Sequence, residues 1–469
     1  MNPTPPIEEA YTLAALAPVP SASATQNACK LCAPLGASLV FKGIAGGVPL
    51  LHGSQGCSTY IRRYLISHFK EPMDIACSNF AEQTAVFGGG ANLQLALENV
   101  CRQYDPALIG VATTCLSETI GDDVPMFIKT FLAATPGEPH PPIVHVSTPS
   151  YQGSHMEGFH RAVRATLGAL AKGRAGAAPE QVNLLPGLLS PADLRHLKEM
   201  AAAFGLQAMV LPDYSDTLDG GQWESYQRIP AGGTPVAAIA AAGNAAATIE
   251  LGHTLAAAGD TAATDLHTRC GVPALRLGLP VGIRHTDVLL QALADISGRP
   301  VPAAFQAQRG RLLDTLVDGH KHVNTVRAAV FGEEDLVAGL AAFMAEIGIH
   351  PVVCASGGAS RHLAQVLHQL VPARQHAGMK ILEGADFATI EEAVAAAQPD
   401  LIVGHSKGYA MARRLGIPLV RVGFPIHDRM GGPRLRHIGY EGATILFDRM
   451  ANALIETRQA ASPVGYTYM

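Results

Sequence analysis

Short apolar segments alternate with amphipathic helical segments along almost the whole chain, and this alternation constrains the fold more than any other feature. The apolar segments are continuous rather than broken by polar residues, which is typical of parallel strands covered on both faces. The predicted strands cover residues 106–114, 142–148, 181–187, 206–213, 236–242, 273–280, 326–332, 350–356, 379–385, 400–406 and 418–425. Such an alternation of strands and helices indicates doubly wound α/β units.

The helical segments carry recognisable start and stop signals. The clearest is "SPADLRHLKEMAAAFG", in which Ser190 can cap the helix and Pro191 suits its first position. Asp193 lies in the first turn, where a negative charge is favourable, and Gly205 can end the helix. The segment 332–348 repeats this design, so we predict a helix in each place.

The composition indicates a large globular chain. Of its 469 residues, 48% are hydrophobic and 16% are charged, which supports extensive cores without a disordered bulk. We predict an N-terminal tail at residues 1–28, then a cysteine-bearing α/β domain at 29–175, a middle α/β domain at 176–324 and a C-terminal α/β domain at 325–469. The expected fold is three doubly wound Rossmann-like domains with mostly parallel sheets.

Several classes of function are disfavoured by charge and motif. The net charge of −5 gives no electrostatic footprint for nucleic acid. The first residues have no basic region typical of a secretory signal, and no apolar run approaches the ~20 residues that cross a bilayer. No Gly-x4-Gly-Lys-Ser/Thr motif for binding ATP is present. We therefore expect a cytoplasmic protein with neither a membrane nor a nucleic-acid partner.

The eight cysteines are unevenly distributed, since six of them fall in the first quarter of the chain. A reducing cytosol disfavours disulfides, so the clustering suggests metal or redox chemistry. Cys32 lies in "CKLCAPLGA", Cys57 in the turn-like "GSQGC", and Cys115 just after a predicted strand. Ser150 lies in a serine-rich turn after the next strand. Loops at one sheet edge can bring these four residues together.

Thiolates assisted by an oxygen ligand favour an iron–sulfur cluster. Zinc is the weaker interpretation, because Cys29 and Cys32 form one Cys-x-x-Cys pair that no second pair follows at finger-like spacing. A third alternative is that each cysteine simply fills space, since free cysteine is among the most buried residue types. Taken one at a time, the residues leave these alternatives open.

Seven segments of the chain form a distinctive combination: "CKLCAPLGASLVFKGI", "HGSQGCSTYIRRYLISHFKEP", "FAEQTAVFGGGANL", "TTCLSETIGDD", "STPSYQGSH", "QRGRLLDTLVDGH" and "VGFPIHDRMGGPRLRHIGYEGA". This combination resembles the β subunit of the catalytic component of nitrogenases. The resemblance covers approximately residues 28 to 455.

This resemblance implies an α2β2 assembly with a P-cluster of eight irons and seven sulfides at each α/β boundary, to which each subunit gives three cysteines. The matching positions are Cys32, Cys57 and Cys115, and Ser150 matches a serine that binds the cluster when it is oxidised. Tyr60 matches a position between this cluster and the active-site cofactor, which the α-type partner holds. The remaining cysteines match no ligand position.

The resemblance also implies two further contacts. Phe87 matches an aromatic residue at the docking surface for an ATP-dependent reductase, and a partner that hydrolyses ATP is consistent with the missing ATP motif. Glu71, Asp314 and Asp318 match residues that bind a cation between two β subunits, for which oxygen ligands suit a hard divalent ion. The alternative for the two aspartates is a solvated face of a helix.

The exact member of the family is less constrained. The cofactor-assembly scaffold of the same family commonly lacks most of the cluster cysteines, so the presence of all three and of Ser150 favours the electron-transferring enzyme. The segment "STYIRRYLISHFKEP" looks closest to nitrogenase-like methylthio-alkane reductases, which cleave carbon–sulfur bonds. Dinitrogen reduction, the assembly scaffold and a metal-free α/β interaction subunit are the alternatives.

Overall fold

The protein is described by a computed structural model that covers residues 27–134, 136–137, 139–173, 176 and 178–464. The predicted tail at residues 1–28 lies almost entirely outside the described residues. Across the described ranges, the helices are all too short or too polar to cross a bilayer. Every strand pairing within this part of the chain is parallel.

The first part of the chain builds a four-stranded sheet in the order β2-β1-β3-β4. Its elements are α1 (Ala33–Lys42), β1 (Gly47–His52), α2 (Gln55–Phe69), β2 (Ala76–Cys77), α3 (Glu82–Phe87), α4 (Gly90–Tyr104), β3 (Leu108–Thr113), α5 (Cys115–Ile120), α6 (Val124–Ala134), β4 (Ile143–Val146) and α7 (His155–Leu170). The two central strands, β1 and β3, are buried because helices cover both faces of the sheet.

The second sheet also has four strands, in the order β6-β5-β7-β8. Its elements are β5 (Ala178–Leu185), α8 (Pro191–Ala203), β6 (Gln207–Val210), α9 (Val236–Ala240), β7 (Ala245–Leu251), α10 (His253–Ala258), α11 (Ala262–Cys270), β8 (Ala274–Leu277), α12 (Gly282–Ser297) and α13 (Ala303–Val323). The strand order is that of the first sheet, so the same winding is used twice.

The third sheet has five strands in the order β11-β10-β9-β12-β13. Its elements are β9 (Arg327–Gly332), α14 (Glu334–Glu346), β10 (His350–Ser356), α15 (Leu363–Leu370), β11 (Lys380–Leu382), α16 (Phe387–Ala397), β12 (Leu401–Gly404), α17 (Tyr409–Leu415), β13 (Leu419–Arg421) and α18 (Gly439–Ala461). The predicted α/β class with three mostly parallel sheets is therefore confirmed.

The predicted strand at 236–242 is wrong. Residues Val236–Ala240 form helix α9, which begins after Pro235, and the strand follows at Ala245–Leu251. The alanine-rich run has no periodicity that separates a helix from a strand, and the proline suits a helix start. Two strands, β1 at Gly47–His52 and β2 at Ala76–Cys77, were also missed by the sequence analysis.

Helix α8 confirms the predicted capping signals and adds a long-range contact. The Asp193 N–H donates to Ser190 Oγ at 3.0 Å, and Gly205 has a φ of +72°. The Asp193 carboxylate also accepts the backbone N–H of His437 at 2.7 Å. Burial opposes ionisation of this carboxyl group, but His437 and the backbone N–H groups hold its pKa below the ordinary value. The carboxylate therefore connects α8 to the segment before α18.

Helices α1 and α7 cross so closely that glycine is required on both. A Cβ on Gly36 would overlap the carbonyl oxygen of His155, and one on Gly158 would overlap that of Ala33. The backbone just before α1 is also attached to α7, since the His155 N–H donates to the Leu31 carbonyl at 2.9 Å. This crossing sets the position of the residue that precedes α1, which is Cys32.

Gly36→Ala tests this crossing against Gly168→Ala, an exposed helical position in α7 where nothing lies near an added Cβ. We expect Gly36→Ala to lower the free energy of unfolding by about 3 kcal/mol, because two backbones must separate. Gly168→Ala is expected to raise it by ~0.5–1 kcal/mol through helix propensity. Urea denaturation measures both changes, and equal stabilities of the two variants would contradict the close crossing.

Candidate functional site

Three of the predicted site residues follow neighbouring strands of the first sheet. The direction of winding reverses between β1 and β3, and at such a point an α/β sheet opens a crevice beyond the carboxyl ends of its strands. Cys57 follows β1, Cys115 follows β3, and Ser150 follows β4 in a single turn of 3-10 helix, Ser150–Gln152. The last residues of β1 and β3, His52 and Thr113, are paired, so the two strands end at the same level.

All three cysteines lie at the start of a helix. Cys32 is the residue that precedes α1, Cys57 is the third residue of α2, and Cys115 is the first residue of α5. Cys57 therefore belongs to the first turn of a helix and not to a loop, which corrects the turn-like interpretation of "GSQGC". Unpaired backbone N–H groups and the helix dipole favour negative charge at these positions, which suits thiolates.

Ser150 connects two of these helix starts. Its backbone N–H donates to Cys115 Sγ at 3.3 Å, and its Oγ accepts the N–H of Ala33, the residue after Cys32, at 3.2 Å. The loop that carries Ser150 is attached to β3, because the Thr148 N–H donates to Thr113 Oγ1 at 2.9 Å. The backbone therefore holds Ser150 between Cys32 and Cys115.

The Cys32 thiol lies within electrostatic range of the other two. Burial raises its pKa to about 11, and nearby Cys57 and Cys115 contribute to the rise. Ser54 Oγ donates to Cys57 Sγ at 3.6 Å, so this sulfur also has a polar neighbour. Metal binding at these thiols releases their protons, and the charge of the metal then stabilises the thiolates.

These residues fit a multinuclear iron–sulfur cluster better than a single metal ion. Within the described ranges, no three His, Cys, Asp or Glu side chains are spaced to hold one ion. A cluster needs thiols further apart, because each binds a different iron. All three cysteines are half-buried. The donor set of three sulfurs and one hydroxyl oxygen suits iron that cycles between two oxidation states.

Three of the other cysteines, Cys29, Cys270 and Cys354, occupy different surroundings. Cys354 and Cys29 are buried, and burial raises the pKa of each thiol to about 12. Cys29 Sγ lies 3.7 Å from Nε2 of the buried His405 and so does not share a site with Cys32. Cys270 is also buried and donates to a backbone carbonyl.

Large apolar side chains near the thiols are exposed, and of these Tyr60 was identified from the sequence, whereas Leu116 and Tyr151 were not. Leu116 is 36% exposed and Tyr151 is 62% exposed, and they adjoin Cys115 and Ser150 in the chain. Tyr60, in the same helix as Cys57, is 57% exposed. An exposed apolar patch that surrounds polar ligands is typical of a surface covered by another protein chain.

Phe87, the predicted docking residue, ends helix α3 and is 84% exposed. The glycines after it are held by a buried carboxylate, since the Gly89 N–H donates to Asp122 Oδ1 at 3.0 Å. A Cβ on Gly89 would overlap the side chains of Asp122 and His52. The N-terminus of α4 is therefore already paired with a negative charge of the same chain, the Asp122 carboxylate.

His52 links this glycine turn to the Cys115 helix, although no role was predicted for it. Its Nε2 lies 2.9 Å from Asp122 Oδ2, and its carbonyl accepts from the Thr114 N–H at 3.1 Å and from Ser117 Oγ at 2.8 Å. Asp122 is thus a buried partner of His52, whereas Asp123 caps α6 by accepting the Met126 N–H at 3.0 Å.

The predicted cation ligands do not form a cluster within one chain. Asp314 and Asp318 are exposed on α13, on either side of the half-buried Leu316. Glu71 is half-buried just after α2, where burial and the nearby charge of Asp219 raise its pKa. A cation between two copies of this chain stays a prediction.

Comparisons with known proteins agree on one family. Residues 32–455 match the family model described as nitrogenase component 1 type oxidoreductase. The chain is 34% identical over 430 residues to the nitrogenase molybdenum-iron protein beta chain of Clostridium pasteurianum, which covers 92% of this chain and 93% of that protein. It is 32% identical over 448 residues to the nitrogenase iron-molybdenum cofactor biosynthesis protein NifN of Bradyrhizobium diazoefficiens, covering 95% and 92%.

A solved structure supports the same relationship. A chain of "Nitrogenase Cp1 at pH 6.5" matches with a TM-score of 0.91 at 32% identity, and the match covers 95% of this chain and 97% of that one.

Proposed function

Since the chain belongs to the nitrogenase component 1 type oxidoreductases as a β-type subunit, we propose that it holds half of a P-cluster in the catalytic component of a nitrogenase-like reductase. The cluster would relay electrons from an ATP-dependent reductase to the metallocofactor of an α-type partner. The observation that carries this proposal is the set of three half-buried thiols at three helix starts, with Ser150 between two of them.

The roles of the residues follow from their surroundings. Cys32, Cys57 and Cys115 would bind iron as thiolates, which the backbone N–H groups of their helix starts stabilise. Among the residues that the structure describes, Ser150 Oγ accepts one N–H, that of Ala33, which leaves a lone pair that could bind iron. A hydroxyl oxygen is a harder donor than a thiolate and binds more strongly to oxidised iron. Tyr60 would lie beside the path toward the partner's cofactor.

The α-type partner would complete both the site and the surface. Three cysteines satisfy only half of the cluster, and the exposed Tyr60, Leu116 and Tyr151 provide an apolar rim for a second chain. An α2β2 assembly supplies the remaining thiolates and places the cluster away from water. Glu71, Asp314 and Asp318 would hold a divalent cation where two β-type chains meet in this assembly.

The reductase would dock at Phe87. An exposed aromatic side chain is a typical anchor of a protein interface, and this one sits on a turn that the buried Asp122 and His52 support. The His52 carbonyl also accepts the N–H of Thr114, the residue before Cys115. The same histidine therefore supports both the proposed docking surface and a proposed thiol ligand.

The substrate is proposed on resemblance alone. We favour reductive cleavage of the carbon–sulfur bond of methylthio-alkanes because "STYIRRYLISHFKEP" looks like those enzymes. Dinitrogen reduction is the main alternative, and it is supported by the 34% identity to a molybdenum-iron beta chain. The similar identity to a cofactor biosynthesis protein keeps the assembly scaffold as a second class. The complete set of Cys32, Cys57, Cys115 and Ser150 favours the enzyme.

Cys115→Ala tests the cluster proposal, with Cys101→Ala as the matched control. Cys101 lies in α4 and matches no ligand position. We expect Cys115→Ala to lose the cluster's electron paramagnetic resonance signal and much of the iron of the complex purified without air, because one iron loses its ligand. Cys101→Ala should retain both. Unchanged iron and spectra in Cys115→Ala would reject the assignment.

Phe87→Ala tests the docking proposal, with Val288→Ala on α12 as an exposed apolar control. Loss of an aromatic anchor typically costs ~2 kcal/mol or more of binding energy. We therefore expect the reductase concentration at half-maximal turnover to rise at least ~20-fold, with iron content unchanged. The proposal fails if Phe87→Ala and Val288→Ala titrate alike.

Growth of a deletion strain identifies the substrate. We expect a strain without this gene to lose growth on a methyl thioether as the sulfur source and to keep growth on dinitrogen. The reverse pattern would assign dinitrogen reduction. If the deletion strain fails to grow on dinitrogen and its separately encoded nitrogenase lacks the active-site cofactor, the protein is an assembly scaffold.

A further inference from the structure

A cavity of about 260 Å³ lies between helix α7 and the second and third sheets. Its wall includes the carboxyl ends of β5, β7, β9 and β10 together with the first half of α7. The carboxyl ends of parallel strands are where α/β proteins bind small molecules. None of Cys32, Cys57, Cys115 and Ser150 lines this cavity.

The cavity carries an excess of negative charge. Its wall contains six carboxylates, which belong to Glu157, Glu250, Asp260, Glu333, Glu334 and Asp335. The fixed cations of the wall are Lys30, Arg161 and Arg164. Arg164 is already paired with Asp260 at 2.7 Å and with Asp265, outside the wall, at 2.5 Å. Burial lowers the pKa of His160 to about 4, so this side chain adds no positive charge at neutral pH.

Four of these carboxylates have hydrogen-bond partners that offset the cost of burying them. Glu157 accepts the Ser154 N–H at 2.7 Å, and Glu333 lies 3.2 Å from His155 Nε2. The other two accept backbone N–H groups: Glu334 that of Ser360 at 3.0 Å, and Asp335 that of Thr254 at 2.7 Å.

Glu250 differs from these four. Its Oε1 accepts the Ala263 N–H at a long 3.3 Å, and its Oε2 has no hydrogen-bond partner in the part of the chain that the structure describes. The residue is only 3% exposed. Burial raises the pKa of Glu250, although the Thr261 hydroxyl, the N–H groups of Ala263 and Ala262 and the charge of Arg276 lie near enough to oppose the rise. A buried carboxylate oxygen without a partner is costly, and a donor in the cavity would remove that cost.

The rest of the wall beside this carboxylate is hydrocarbon. Val163, Leu185, Leu211 and Leu255 line the cavity together with Met156. A molecule that combines an apolar body with a hydrogen-bond donor suits this space, and six carboxyl groups against three fixed cations favour a positively charged donor, although burial raises the pKa of Glu250, Glu334 and Asp335.

We propose that this cavity is a binding site for a small organic ammonium ion, whose nitrogen donates to Glu250 Oε2 and whose hydrocarbon part lies against Val163, Leu185 and Leu211. An anionic iron–sulfur cluster is disfavoured by the six carboxylates, and Cys29 is the single thiol of the wall. A bare metal ion would lack ligands, because no three suitable side chains converge in the described ranges. This inference stands independently of the proposed function.

The test compares three probes of one shape on the full-length protein as purified. These are 2-phenylethylamine, 2-phenylethanol and phenylacetate, each measured by saturation-transfer NMR and competition. We expect the amine to bind, the alcohol to bind at least tenfold more weakly and the acid not to bind. Absence of amine binding, or equal binding of amine and alcohol, overturns the proposal.

The variant Glu250→Gln tests whether the amine binds at Glu250. Glu98→Gln, on the exposed face of α4, is the control. Glutamine keeps the shape and removes the charge, so the Kd of the amine should rise at least tenfold, or ~1.4 kcal/mol. Glu98→Gln should leave the Kd unchanged. An unchanged Kd in a folded Glu250→Gln protein overturns the site, and if that variant does not fold, the probe comparison on the unmodified protein decides.

Discussion

Parallel pairing of the first sheet is the constraint on which the site depends. In a parallel sheet every strand ends at the same edge, so the segments that follow β1, β3 and β4 become neighbours although they are far apart in sequence. Cys57, Cys115 and Ser150 occupy those segments. Helices α2 and α5 begin directly after β1 and β3, so Cys57 and Cys115 lie in the first turns of these helices, where the helix dipole favours negative charge.

Cys32 reaches this edge by a different route. It precedes α1, a helix that no strand of the sheet leads into, and its position is set by the contact of α1 with α7. Gly36 and Gly158 allow the two backbones to touch, and Ser150 accepts an N–H from the first residue of α1. The third thiol is therefore placed by helix packing and not by sheet topology, so the site depends on two separate structural devices.

Much of this arrangement could be predicted from the sequence, because the relevant signals are local. Continuous apolar runs predicted most strands of the sheets, and Ser190 and Gly205 predicted the two ends of helix α8. Failures occurred where the signal was weak or non-local. The alanine-rich 236–242 has no period and became helix α9, and β7 followed it. Asp193 was expected only as a favourable charge, yet its carboxylate binds His437, a contact that no local pattern encodes.

The candidate site shows the same division. Cys115 and Ser150 could be chosen by residue type and by their place after predicted strands, and family resemblance selected Cys32, Cys57 and Cys115 from eight cysteines. The residues that surround this site and hold it in place could not be identified in this way. His52 and Asp122 meet through tertiary packing, and the exposure of Leu116 and Tyr151 depends on which face of a short helix or turn is left uncovered.

The central claim is that Cys32, Cys57 and Cys115 bind one shared group of irons. Anomalous X-ray diffraction at the iron absorption edge, on crystals of the complex grown without air, tests it most directly. The account predicts one compact iron peak that the three sulfurs border, at the surface where this chain meets its partner. Iron density elsewhere, with the three sulfurs bordering none of it, would contradict the account.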